Sequence, residues 1–166
     1  EPVNMSITRL SELNNSCLMI YTGGVRSAAA VLKSQNERTS KGDNNEYLKK
    51  MYEMTTEARN VFESENISDA VCIQEIGNML NSSWNLKRSL SEVVSNEIVD
   101  EIISDCMAAG AYGCKLLGAG GSGFVLVLGN ANTLNRVETA FGQGNCVRFK
   151  FVNYGTTTSK LNTPAA

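Results

Sequence analysis

The chain has 166 residues, a length that suits one domain with a hydrophobic core of its own. Its formal net charge is −2 and its acidic and basic residues are interspersed, so it lacks the basic surface that nucleic acid or an anionic membrane requires, and neither partner is expected. The chain contains no histidine, which excludes a Ser-His-Asp or Cys-His catalytic device and a histidine-ligated metal site within it.

Cysteine usage predicts a reducing compartment. The cysteines are Cys17, Cys72, Cys106, Cys114 and Cys146. They are odd in number, contain no C-x-x-C pair and lie mostly in apolar runs, which favours buried free thiols. No secretory leader or membrane-length apolar run is visible. We therefore expect a cytoplasmic protein.

The first part of the chain predicts two strands and a helix. Alternation of apolar and polar residues over 3–7 predicts a half-buried strand, and the apolar run 17–21 predicts a buried one. A Thr-Gly-Gly turn at 22–24 comes next, and helix formers over 26–35 predict a helix. The polar segment 35–45 predicts an exposed loop.

Three amphipathic helices are predicted in the middle of the chain. Apolar residues recur at helical spacing over 48–62 and again over 70–84. A further helix is expected after Ser95, the candidate N-cap. The residues expected to face inward in this helix are Ile98, Ile102 and Cys106.

The C-terminal part predicts a hairpin, a helix and a last strand. Apolar runs at 114–117 and 124–128 flank a glycine-dense turn, which is typical of strand, loop and strand. Asn130 can cap a helix that extends to Phe141, and alternation over 146–152 predicts a final strand.

This order of elements predicts an α+β fold. A small, mostly antiparallel sheet with helices on one face, a ferredoxin-like sandwich with inserted helices, accommodates it. We expect the domain to span residues 1–154 and the polar tail 155–166 to be frayed.

The glycine-dense turn is the candidate phosphate-binding element, because glycine lets the backbone approach a ligand closely. It follows a strand but precedes another strand, which excludes a dinucleotide-binding fold. It lacks a G-K-[ST], and no V-A-I-K, H-R-D or D-F-G follows, which excludes a P-loop and a protein-kinase lobe. A plain glycine-rich hairpin turn stays open as the alternative. The residues of this turn are Gly118, Ala119, Gly120, Gly121, Ser122 and Gly123.

Three basic positions could bind an anion. Arg26 lies just past the Thr-Gly-Gly turn at a predicted helix start, where backbone N–H groups and an arginine fork could hold a phosphate or carboxylate. Lys87 and Arg88 form a second pair near a predicted helix end. For both sites a solvated side chain is the competing interpretation. Lys115 lies in an apolar strand and points either to solvent at a sheet edge or toward the glycine-dense turn.

Three blocks of the sequence resemble the GHMP kinases, the family of galactokinase, homoserine kinase, mevalonate kinase and phosphomevalonate kinase. The segment 110–124, with its glycine-dense turn, looks like the third signature motif of that family. The segments 21–32 (YTGGVRSAAAVL) and 84–102 (WNLKRSLSEVVSNEIVDEI) are similar to the D-glycero-D-manno-heptose 7-phosphate kinase branch. The blocks occur in the family's order and nearly span the chain.

The resemblance implies the C-terminal domain of a two-domain sugar kinase whose N-terminal ATP-binding domain is absent from this chain. That domain would be the chain's partner and would supply the catalytic aspartate and lysine, so no catalytic residue is assigned here and the chain alone is expected to be inactive and to hold no cofactor. The intact enzyme would use ATP and Mg²⁺, and a homo-oligomer is compatible with this reading.

The resemblance also implies roles for individual residues. The glycine-dense turn would help form the nucleotide and substrate site, and the substrate would be a heptose 7-phosphate, phosphorylated at its anomeric hydroxyl. Thr22, Gly23, Arg26 and Lys87 would bind the sugar phosphate or support the site, with Arg26 as a clamp on the existing phosphate. The alternative hypothesis is a stand-alone ferredoxin-like domain that binds a small metabolite and regulates a partner enzyme.

Overall fold

The computed structural model describes residues 2–24, 28–152 and 155, and within these ranges it contains six α-helices, one 3-10 turn and four strands. In chain order they are α1 (Ile7–Asn15), β1 (Cys17–Tyr21), α2 (Ala28–Ser40), α3 (Asn45–Glu63), α4 (Asp69–Ser89), the 3-10 turn (Glu92–Val94), α5 (Glu97–Ala108), β2 (Gly113–Leu116), β3 (Phe124–Leu128), α6 (Ala131–Phe141) and β4 (Cys146–Val147).

The four strands form one antiparallel sheet in the order β2-β3-β1-β4. At its centre Leu18 pairs with Val127, and Ile20 pairs with Val125. Strands β1 and β3 are apolar along nearly their whole length, so both faces of the sheet must be covered. A mixed α/β fold with a small antiparallel sheet confirms the predicted fold class.

Helices cover both faces of this sheet, whereas the sequence predicted helices on one face. On one face Leu18 and Ile20 belong to a core that includes Val99 of α5 and Leu134 of α6. On the other face a smaller core is formed by residues of β1, β3, α1 and α4, namely Cys17, Leu128, Leu13 and Ile73. The second layer arises because the alternate positions of the strands are apolar as well.

Helix α4 packs directly on the edge strand β2. A Cβ built on Gly113 would collide with the backbone carbonyl of Gly77, and a Cβ built on Gly77 would collide with the Tyr112 side chain. Glycine at both positions therefore allows the helix and the strand to approach closely. This contact brings the C-terminal part of α4 to the end of β2, where the glycine-dense turn begins.

The predicted strand over 3–7 is wrong. Residues 2–6 have no regular structure, and α1 begins at Ile7, whose side chain is 88% exposed. The side chain of Ser6 accepts a hydrogen bond from the Arg9 amide at 3.1 Å, the usual arrangement of a helix N-cap. An alternation of only three apolar positions cannot outweigh such a cap.

The predicted exposed loop over 35–45 is largely helical. Helix α2 continues to Ser40, and Asn44 is fully buried. The Asn44 side-chain amide donates to the Gln35 carbonyl at 3.3 Å and to the Thr39 hydroxyl at 3.0 Å. These hydrogen bonds fold a polar segment back on its own helix, which its composition alone does not reveal.

Helix α5 begins one residue later than the predicted cap implies. Its N-cap is Asn96, whose side chain accepts from the Val99 amide, while Ser95 donates its hydroxyl hydrogen to Asp100 at 2.7 Å. Val99 is buried and Ile98 is 58% exposed, so the prediction that Ile98 faces inward is wrong. Ile102 and Cys106 are buried as expected.

The remaining boundaries agree well with the sequence, with one exception. Helices α3 and α4 cover the predicted 48–62 and 70–84, and Asn130 caps α6. The final strand is shorter than predicted, since β4 contains only Cys146 and Val147. The tail predicted over 155–166 lies outside the described residues except for position 155.

All five cysteines are free thiols, as predicted, and four of them are buried while Cys146 is half-buried. Burial raises the pKa of the Cys17 thiol to about 11, so it stays protonated at neutral pH. Among the helices described, none is both long and apolar enough to span a bilayer.

Candidate functional site

The glycine loop, residues 118–123, joins β2 to β3. The Leu117 amide donates to the Phe124 carbonyl at 2.9 Å and closes the base of the loop. Gly120 has a φ of +120°, and a Cβ built on it would lie 2.8 Å from the Val94 carbonyl oxygen. The backbone conformation and the close approach of Val94 both require glycine at this position.

Lys87 of α4 holds the start of the glycine loop. Its ammonium group donates to the Gly118 carbonyl at 2.5 Å and lies 3.4 Å from the Leu116 carbonyl. The residue is only 9% exposed. Burial, together with the charge of nearby Lys115, lowers the pKa of Lys87 to about 8. Lys87 therefore holds the loop from the inside, and its charge is met by carbonyl oxygens.

Asn96 holds the middle of the loop. Its side-chain amide donates to the Gly121 carbonyl at 2.5 Å, while its side-chain oxygen caps α5 by accepting from the Val99 amide at 3.1 Å. The Gly121 amide in turn donates to the Val94 carbonyl at 2.8 Å. One asparagine thus couples the loop to the N-terminus of a helix.

Thr22 holds the end of the loop. The Thr22 amide donates to the Gly123 carbonyl at 2.9 Å, and the Thr22 hydroxyl accepts from the Gly123 amide at 3.0 Å. On the α2 side, Gln35 donates its side-chain amide to the Ala119 carbonyl at 3.1 Å. Four separate elements of the fold therefore fix the loop.

These contacts engage mainly the carbonyl oxygens of the loop. Over the described ranges, the amide hydrogens of Ala119, Gly120 and Ser122 meet no protein acceptor. A loop with four of its six carbonyls hydrogen-bonded and with spare N–H donors is suited to an anion, because successive backbone amides form a concave positive site. The arrangement can bind and orient a phosphate without a titrating side chain.

Two depressions adjoin the glycine loop. One, of about 370 Å³, lies between the Thr22–Gly24 turn, Asn96 and Ser122. The other, of about 280 Å³, is lined by the loop itself and by Ala28 at the start of α2. Ser122 lines both, so the loop forms a wall between two open sites.

The structure brings three of the four residues implied as substrate-binding to the glycine loop. Thr22 hydrogen-bonds it, Gly23 lines the adjoining depression, and Lys87 hydrogen-bonds it from the buried side. Arg26 lies outside the described residues. Lys115 does not reach the loop, because its ammonium group donates to Ser83 of α4 at 2.5 Å.

Two residues of the site were missed by the sequence analysis. Asn96 stands directly before the acidic start of α5, and this N-cap signature could have drawn attention to it. Gln35 gives no such signal, since its contact with Ala119 spans 84 positions of the sequence.

Known proteins share this domain. Residues 67–144 match the family model described as GHMP kinases C terminal. The chain is similar to the bifunctional fucokinase/GDP-fucose pyrophosphorylase of Arabidopsis thaliana, with 31% identity over 129 residues that cover 76% of this chain and 12% of the relative. The chain therefore spans about an eighth of the length of that relative.

Solved structures share the fold. The chain is similar to the L. major mevalonate kinase in complex with R-mevalonate, with a TM-score of 0.62 and 21% identity over 81% of this chain and 40% of that one. A D-glycero-D-manno-heptose 1-phosphate kinase from Bacteroides thetaiotaomicron gives a TM-score of 0.55 and 17% identity over 98% of this chain and 41% of that one. Residues 67–144 of this chain therefore carry a GHMP kinase C-terminal domain.

Proposed function

We propose that this chain supplies the C-terminal half of an ATP-dependent kinase that phosphorylates a sugar or sugar phosphate. The observation that carries the proposal is the glycine loop, whose carbonyls are held by Lys87, Gln35, Asn96 and Thr22 while several of its amides meet no protein acceptor in the described ranges. The match to the GHMP kinases C-terminal model supports this role, because the glycine loop resembles the third signature motif of that family.

In this proposal the loop amides bind phosphate groups of the nucleotide or the substrate. They suit that role because backbone N–H donors on a rigid loop hold a phosphate in place before the reaction. Mg²⁺ bound with ATP would neutralise charge on the transferred phosphoryl group. Within the described chain, no group of three or more His, Cys, Asp or Glu side chains is close enough to hold a metal ion. We assign phosphate positioning to this chain on the basis of its glycine loop.

The chain's share of catalysis is then positioning. Phosphoryl transfer depends mainly on alignment and charge stabilisation, so a domain can contribute greatly through its backbone alone. The catalytic aspartate and lysine would come from an N-terminal domain, and the 166-residue chain alone would be inactive. We propose Lys87 as a support residue, because its donors face loop carbonyls. Arg26 stays the proposed clamp on a substrate phosphate.

The proposed acceptor is the anomeric hydroxyl of a heptose 7-phosphate. Two sequence blocks, 21–32 and 84–102, support the heptose branch, and the matched fucokinase-containing relative supports a sugar over mevalonate. The test is a coupled assay of the intact protein with Mg-ATP and four acceptors: a heptose 7-phosphate, fucose, galactose and mevalonate. Turnover of the heptose phosphate above the others is expected. Turnover of mevalonate alone would contradict the sugar assignment.

Arg26 is tested in the same assay. Arg26→Ala should raise KM for a heptose 7-phosphate at least about tenfold, because it removes a charged hydrogen bond to the phosphate. Its matched control is Arg38→Ala, which changes an arginine in the last turn of α2. Equal kinetics for both variants and the unsubstituted enzyme would reject the clamp and leave the loop's role standing.

A further inference from the structure

A separate cavity, of about 460 Å³, lies on the sheet face covered by α1, α3 and α4, and no residue of the glycine loop lines it. Its walls include Leu126 and Leu128 of β3 and Phe62 of α3. Four of the six methionines of the chain line this cavity, namely Met5, Met51, Met54 and Met79. Methionine is flexible and polarizable, and it adapts to varied apolar ligands.

The cavity offers little to water. Among its lining residues, Thr55 and Ser83 carry hydroxyl groups, and both hydroxyls already have protein partners. Thr55 donates to the Tyr52 carbonyl at 2.7 Å, and Ser83 accepts from Lys115 at 2.5 Å. A cavity of this size, whose two hydroxyls are already hydrogen-bonded and whose other lining residues are almost all apolar, favours an apolar ligand over ordered water.

Lys115 does not line this cavity itself, but its positive charge lies beside two residues that do. It pairs in register with Leu126, which lines the cavity, and its ammonium group hydrogen-bonds Ser83, which lines it as well. Burial lowers the pKa of Lys115, which means that its charge is partly desolvated. Among the described residues no carboxylate lies within ion-pair distance of it, and its charge helps to lower the pKa of a second cation, Lys87.

We propose that this cavity binds a small amphiphile with an aliphatic or aromatic body and a carboxylate head, the body lying among the methionines and the carboxylate pairing with Lys115. At about 30 Å³ per water-sized group, the volume of about 460 Å³ has room for roughly 15 such groups, so a body of about eight carbons with its carboxylate fits with space to spare. The carboxylate would supply the counter-charge that the surrounding residues do not.

This inference rests on residues separate from the glycine loop and is independent of the proposed kinase function. It is tested by titrating the 166-residue chain, labelled with ¹³C at the methionine methyl groups, with octanoate. We expect the resonances of Met51, Met54 and Met79 to shift with saturation. Met107 packs in the core on the opposite side of the sheet and is the internal control, so its resonance should not move.

The charged head is tested by comparing octanoate with 1-octanol, which has the same body and no charge. Octanoate should bind at least about tenfold more tightly than 1-octanol, because its carboxylate adds a charge-assisted hydrogen bond to Lys115. Lys115→Met should remove this preference, whereas Lys49→Met, at an exposed lysine of α3, should preserve it.

Three results would overturn the proposal: no methionine shift at millimolar octanoate, a Met107 shift as large as that of Met51, or equal affinity for octanoate and 1-octanol. The last two need no variant, so the proposal is decided even if Lys115→Met does not fold. A cavity-filling substitution, Ala58→Trp, adds a further check. The tryptophan side chain should occupy the space of the ligand and abolish the octanoate-induced shifts of the neighbouring methionines.

Discussion

The ammonium nitrogen of Lys87 lies 2.5 Å from the carbonyl oxygen of Gly118. A charge on helix α4 is thereby bound to the first residue of the glycine loop, 31 positions later in the chain. The residue is nearly buried, and in the described structure its donors meet carbonyl oxygens instead of a carboxylate. The loop is thus held by a cation whose protonation is sensitive to its surroundings.

The first prediction concerns pH. Burial lowers the pKa of Lys87 from its usual 10.5 to about 8 in the folded state, so between these values the unfolded chain binds more protons than the folded one. The contribution of Lys87 to the free energy of unfolding must therefore rise with pH between these two values, and it stays constant at lower pH. The free energy of unfolding of the unsubstituted chain, relative to Lys87→Met, should increase by roughly 1–2 kcal/mol from pH 8 to pH 9.5.

Urea denaturation of both chains at several pH values measures this difference, and other titrating groups cancel in it. A difference that is flat from pH 7 to pH 9.5, or that falls with pH, would contradict the placement of Lys87 as a buried cation.

The second prediction concerns the contact between α4 and β2. Gly113→Ala should lower the free energy of unfolding by about 2 kcal/mol or more, because the new Cβ collides with the backbone carbonyl of Gly77. Gly144→Ala is the matched control, since a Cβ at Gly144 meets no atom within 4 Å. Chemical denaturation of both variants checks the difference, and equal stability would mean that the helix and the strand are further apart than described.

The third prediction concerns Arg9, which joins α1 to the start of α4. Its guanidinium pairs with Asp69 at 2.9 Å and donates to three backbone carbonyls, those of Phe62, Ser64 and Ile67. Lysine cannot reproduce this planar set of donors, so Arg9→Lys should destabilise the chain by about 2–3 kcal/mol.

Arg148→Lys is the control for Arg9, because Arg148 pairs with Glu138 at a half-exposed site where the loss should stay below about 1 kcal/mol. Thermal unfolding ranks the two variants. A melting temperature for Arg9→Lys equal to that of Arg148→Lys would show that the buried guanidinium does not join the two helices.

Much of the fold could be predicted from the sequence, because its strongest signals are local. The apolar runs of β1 and β3 match the observed strands, and Asn130 marks the start of α6 as predicted. The alternation over 3–7 led to the wrong prediction of a strand, because Ser6 in this segment is the N-cap of helix α1. A short segment can carry a helix N-cap signal and a strand-like alternation at once, and the residue pattern alone does not show which of the two determines the structure.

The candidate site could be predicted only in part. The glycine loop and Thr22 stand out because glycine and a turn carry local signals. The roles of Asn96 and Gln35 depend on contacts across 25 and 84 positions, which no local pattern contains. The sequence identifies Lys87 as a basic residue near a predicted helix end, but its burial follows from the packing of α4 on β2.

The fourth prediction tests the central claim, that the glycine loop positions a phosphate for phosphoryl transfer. Gly120→Ala forces a side chain against the Val94 carbonyl and into a φ of +120°, which must displace the loop. Gly142→Ala is the matched control, because Gly142 also has a positive φ, of +80°, but a Cβ there meets no atom within 4 Å and the residue lies at the end of α6.

The decisive measurement is kcat/KM of the intact enzyme with Mg-ATP and its preferred acceptor for these two variants. We expect Gly120→Ala to lose about a hundredfold or more, since displacing a positioned phosphate removes alignment that the reaction depends on, while Gly142→Ala stays within about threefold of the unsubstituted enzyme. Equal activity of the two variants, with both folded, would contradict the claim that this loop is part of a kinase active site.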